Sequence, residues 1–108
     1  MAVTGIGAVS AAGRDVRELR SMLGSPERVF AANRRHDFLD IDVSVGEVND
    51  GWFAVHEHDE LDCSTGRLCL AAAREASADA RERGGGDPDG LALGTSTGGQ
   101  DNNERVVF

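Results

Sequence analysis

The stretch STGRLCLAAAREASADARERGGGDPDGLALG, residues 64–94, decides how the rest of the chain is read. Ser64 or Thr65 can cap a long helix running to about Arg83, because a side-chain oxygen there satisfies amides that the first turn leaves open. Along it Cys69, Ala72, Ala73, Ala76 and Ala80 form a stripe of small residues. Leucine stripes fill space, whereas small residues let a helix lie close to a sheet or another helix. Such a helix belongs deep in a layered structure. The glycine- and proline-containing run 84–90 stops it. Leu91-Ala92-Leu93-Gly94 then reads as a buried strand ending in Thr95-Ser96-Thr97-Gly98-Gly99. A long helix followed by an apolar strand predicts an α/β layered fold with a parallel pair.

Upstream, residues 2–9 (Ala-Val-Thr-Gly-Ile-Gly-Ala-Val) read as a short buried strand running into a glycine-rich turn that Gly13 closes. Val16, Leu19, Met22 and Leu23 then recur at helical spacing, with Asp15 at the start and Gly24-Ser25-Pro26 as the stop. Residues 27–38 are mostly polar and show no clear period; their Arg34-Arg35-His36-Asp37 run reads as solvated. Leu39, Ile41, Val43 and Val45 alternate with Asp40, Asp42, Ser44 and Gly46, which predicts a strand with one wet face. Asn49-Asp50-Gly51 signals a turn, consistent with a hairpin into Trp52-Phe53-Ala54-Val55, and the acidic 56–62 segment follows as a loop. A further helix begins near Asp101, and the sequence reads as truncated near Phe108.

Composition narrows the function. The net charge of −8 repels a phosphate backbone, and no basic stripe offsets it, so no nucleic-acid partner is expected. No apolar run approaches the roughly 20 residues of a membrane span. The N-terminus has neither a basic leader nor an apolar signal core, which predicts a cytoplasmic protein. Cys63 and Cys69 read as reduced structural thiols in a helix.

Each reactive-looking motif has a plainer explanation. Gly5-Ile6-Gly7 opens a dinucleotide fingerprint, but Ser10 replaces the third glycine, and no acidic residue ends a second strand about 20 residues on. A phosphate loop at 94–99 lacks the lysine it needs, since the chain has none. His56, His58, Cys63 and Cys69 fit no zinc spacing, and nothing local marks either cysteine as an activated nucleophile.

Taken in order, three segments carry a family likeness. Val3-Thr4-Gly5-Ile6-Gly7-Ala8-Val9-Ser10-Ala11-Ala12-Gly13 resembles the opening Val-Thr-Gly-x-Gly-x-Val-Ser of β-ketoacyl-acyl-carrier-protein synthases. Residues 61–76 are similar to their Asp-Arg-x-Thr-x-Leu-Ala-Leu-Ala-Ala-Ala-x-Glu-Ala helix, and 90–99 to their Gly-x-x-x-Gly-Thr-x-x-Gly-Gly strand and loop. The resemblance implies a partial thiolase-like layered fold, with residues 1–108 as part of the N-terminal half. It also implies decarboxylative Claisen condensation in fatty-acid or polyketide biosynthesis, by a cysteine that accepts the acyl chain and two histidines that assist decarboxylation of the malonyl unit. It implies no cofactor and no metal. An acyl carrier protein and a second ketosynthase-type subunit are the implied partners.

The family's reactive cysteine lies in an Ala-Cys elbow beyond the glycine loop, and its histidines lie further still. Cys63, Cys69, His36, His56 and His58 match none of these positions, so no catalytic residue carries over and the chain is not expected to act alone. Thr97 alone carries over, as a residue bordering the acyl pocket. Gly66 and Cys69 depart from the family's helix, which suits a divergent branch or a non-catalytic partner resembling a chain-length factor. A small binding protein derived from the fold is the other alternative.

Overall fold

The computed structural model describes residues 1–32, 43–52, 63–96 and 98. Helix α1 spans Val16–Leu23 and opens as the sequence predicts. Asp15, in extended backbone, caps it by accepting the Glu18 amide at 2.7 Å. Glu18 reaches back in turn to the Arg14 amide at 3.0 Å, so two amides at the helix start are met reciprocally. Gly24 ends the helix in right-handed backbone, with its amide on the Ser21 carbonyl.

Helix α2, Ser64–Glu82, is the long element of the described chain. Its cap is neither Ser64 nor Thr65 but Cys63, whose Sγ accepts the Gly66 amide at 3.3 Å. At the other end Gly84 takes φ +81°, where a side chain would be strained. That turn sends the Gly84 amide to Arg81 O and the Gly85 amide to Ala80 O, closing a Schellman motif.

Residues 3–8 run across α2 rather than within a sheet. A Cβ on Gly5 would collide with the Ala76 carbonyl and stand 2.7 Å from the Ala80 nitrogen. One on Gly7 would collide with the Ala72 carbonyl and stand 2.8 Å from the Ala76 nitrogen. Two residues of chain thus advance by one helical turn. Four helical residues rise about 6 Å, which two residues span only when nearly extended. The predicted small-residue stripe does permit close approach, but what approaches is bare glycine backbone.

The buried strand predicted at 2–9 is therefore corrected to an extended segment without a ladder, its one β-bridge the Ser10–Gly13 reversal that follows. The extended backbone is as expected; its partner is a helix. Leu91-Ala92-Leu93-Gly94 is also corrected: these residues form no strand and are exposed, Leu91 at 66% and Leu93 at 61%. Among the described residues the sheet is a two-stranded antiparallel pair, β1 (Ala31–Ala32) with β2 (Ser44–Val45), in register Ala31 to Val45 and Ala32 to Ser44. β1 lies where the sequence shows no period, and the predicted 39–46 strand is seen only in its last residues, since 33–42 lie outside the described ones.

The turn at 49–51 forms as expected. Asn49 Oδ1 accepts the Gly51 amide at 2.9 Å, and Asp50–Trp52 make one 3₁₀ turn. Trp52 is thus in a turn, not in a hairpin strand, and the 53–62 continuation lies outside the described residues, as does the helix predicted from Asp101.

Ala80, 9% exposed, is the one buried apolar side chain among the described residues. Among the described residues, no helix is long and apolar enough to cross a membrane.

Candidate functional site

The polar chemistry of the described chain gathers along one face of α2. Glu75 lies between Ala72 and Ala76 in sequence, half-buried, and both its oxygens accept backbone amides from far away in the chain. Oε2 takes the Ala8 amide and Oε1 the Val16 amide, each at 2.8 Å. Val16 is the first residue of α1, so its amide has no partner within that helix. One carboxylate of α2 thus caps α1 and holds the glycine segment.

One turn further on, Asp79 accepts the Ile6 amide on Oδ2 at 3.1 Å and the Arg83 guanidinium on Oδ1 at 2.9 Å. The Arg83 bond first, and then the Ile6 amide, hold its carboxyl below the ordinary aspartate value. Asp15 is lowered too, chiefly by the Glu18 amide it caps, with Arg17 and Arg14 adding to the effect against partial desolvation. These carboxylates and Arg17, Arg20 and Arg83 line a 470 Å³ cleft between α1 and α2.

On its other flank α2 borders a wider, open groove of 850 Å³, between Thr4-Gly5 and the 86–91 tail. Leu70, Ala73 and Ser77 of α2 line it. The exposed ion pair of Arg81 with Asp87, 2.6 Å, ties the tail to the helix end. The late glycine loop returns to the start of the helix: a Cβ on Gly98 would lie 3.2 Å from Cγ2 of Thr65.

Thr97, the residue assigned to an acyl pocket from sequence, lies outside the described residues, as do His36, His56 and His58. Cys63 and Cys69 are free, half-buried thiols, and Cys63 is engaged as a helix cap. Among the described residues no three His, Cys, Asp or Glu side chains gather in a way that could hold a metal ion. Sequence reasoning missed Glu75 and Asp79. The available signal was two carboxylates four apart, each adjoining an alanine of the packing stripe, where a helix buried against apolar neighbours would not carry them. No protein-family model, curated protein or solved structure matches the chain.

Proposed function

We propose that this chain is the N-terminal portion of a β-ketoacyl-acyl-carrier-protein synthase-type condensing enzyme, forming scaffold beside the reaction centre and not the centre itself. In this reading the enzyme joins an acyl unit to a malonyl unit on an acyl carrier protein, in fatty-acid or polyketide biosynthesis. The carrier protein and a second ketosynthase-type subunit are its partners, and its place is the cytoplasm. Thr97 borders the acyl pocket. The reactive cysteine and two histidines are not among these 108 residues.

One observation carries the reading: residues from the three family-like stretches meet on α2. Gly5 and Gly7 lie on Ala72, Ala76 and Ala80, and Gly98 lies on Thr65. Unconnected chance likenesses give no reason for such neighbours in space. Val3, Leu91 and Leu93 support it as well, since they stand open to further packing.

The test is to sequence the gene past codon 108 and assay the complete product for carbon dioxide release from malonyl-carrier protein. The expected frame encodes an Ala-Cys elbow followed by two histidine motifs; the complete product is active and the 108-residue chain inactive. An elbow without its cysteine points instead to a non-catalytic ketosynthase partner. A stop codon directly after Phe108, with a soluble and stable product, contradicts the proposal and leaves a small binding protein.

A further inference from the structure

We propose that Glu75 and Asp79 form an acid-releasable clasp, fastening residues 5–8 to α2 when ionised and freeing them when protonated. The inference is independent of the condensing-enzyme reading.

Among the described residues, large side chains take little part in the contact. Gly5 and Gly7 bring no side chains to the interface, while Val3 and Ile6 are exposed, at 82% and 45%. Among the described residues two amide-to-carboxylate bonds fasten the segment, from Ala8 to Glu75 and from Ile6 to Asp79, and Glu75 holds the Val16 amide of α1 as well. Bonds to an ionised acceptor are stronger than neutral ones. A protonated carboxyl keeps one carbonyl oxygen and turns the other into a donor. The Ala8 and Val16 amides then compete for a single good acceptor. Because one side chain serves both, undocking of the segment and uncapping of α1 are coupled.

Other charges face the same cleft: Asp15, Arg17 and Arg20 from the α1 side, and Asp79, Glu82 and Arg83 from α2. Arg83 keeps Asp79 ionised to lower pH than an unpaired aspartate, so the Ile6 bond outlasts ordinary aspartate titration. Release uncovers Ala72 and Ala76, the small-residue face on which Gly7 lies.

Amide-resolved hydrogen exchange of the 108-residue chain across a pH series tests this, with each rate normalised to an unstructured reference. As pH falls, the Ala8 and Val16 amides should lose protection together, before amides in the middle of α2. Glu75→Gln should lower protection at both by about tenfold at neutral pH, the scale of one charge-assisted hydrogen bond, and should abolish their pH step. Glu82→Gln removes the same charge from the same cleft and should leave both amides as they were. The clasp is overturned if the two amides lose protection separately or only with α2, or if Glu75→Gln keeps the wild-type profile. Equal loss in Glu82→Gln also overturns it, as does loss of α2 protection in Glu75→Gln at neutral pH, because a clasp acts locally.

Discussion

Residues 3–13 and 84–96 are both glycine-rich, both carry apolar residues two apart, and both border α2, yet the first lies along it while the second leaves it after Gly85. Added Cβ atoms at Gly5 and Gly7 would meet α2 backbone, and at Gly85 the Ala80 carbonyl, whereas at Gly86, Gly90 and Gly94 they would meet nothing within 4 Å. Glycine therefore does two jobs. In the first stretch it removes a side chain so that backbone can reach a helix. In the second it supplies the left-handed turn at Gly84 and then an open tail. The difference comes from α2: Ala72, Ala76 and Ala80 leave room on one face, and Glu75 and Asp79 offer acceptors beside it. The tail has Arg81–Asp87 alone among the ion pairs described, with both side chains well exposed. Such pairs contribute little.

This contrast can be broken by substitution. The largest effect is expected from Gly7→Ala or Gly5→Ala, where the new methyl meets helix backbone that cannot rotate away. About 3 kcal/mol of destabilisation is expected, the upper end for overpacking, read as the urea midpoint of the helical circular dichroism signal. Gly90→Ala and Gly94→Ala should stay within about 0.5 kcal/mol of the parent. If the two pairs behave alike, the packed and open stretches are not different.

Glu75→Ala comes next. It removes the acceptor for two distant amides and should cost about 2 kcal/mol, with allowance for partial exposure. The Ala8 and Val16 amide resonances should shift together. Gly84→Ala should cost about 1 kcal/mol through its positive φ and should fray the last turn of α2 without disturbing residues 5–8.

Acid should have a smaller and graded effect. Asp15 and Asp79 both have folded values below their ordinary 3.8, so the folded chain binds fewer protons than the unfolded one around that pH. Their contribution is present in full above the ordinary aspartate range and fades as pH falls through and below it. A pH series of urea midpoints should decline in that window, and Asp15→Asn should flatten its own share while loosening the start of α1.

What could be read from the sequence was local. Asp15 at the head of α1, Gly24 before Pro26, and Asn49-Asp50-Gly51 each state a cap, a stop or a turn within a few residues, and each forms. The stripe in α2 predicts close approach, and close approach occurs. What escaped is non-local. An extended segment lying on a helix has the same period of two as a strand, so residues 2–9 could not be told from a member of a ladder. Cys63 was not read as a cap because a thiol is a weak acceptor. The bonds from Glu75 to Ala8 and Val16 span 67 and 59 residues, a distance at which periodicity carries no information. Thr97, the pocket residue expected from the resemblance, lies outside the described residues.

The central claim is that the first glycine stretch docks on α2 instead of pairing with the second. A nuclear Overhauser spectrum of the chain tests it most directly. The expected result is cross-peaks from the Gly5 and Gly7 α-protons to Ala72, Ala76 and Ala80. A strand ladder between residues 3–9 and 91–94, with no Gly7–Ala72 or Gly7–Ala76 contact, would contradict it.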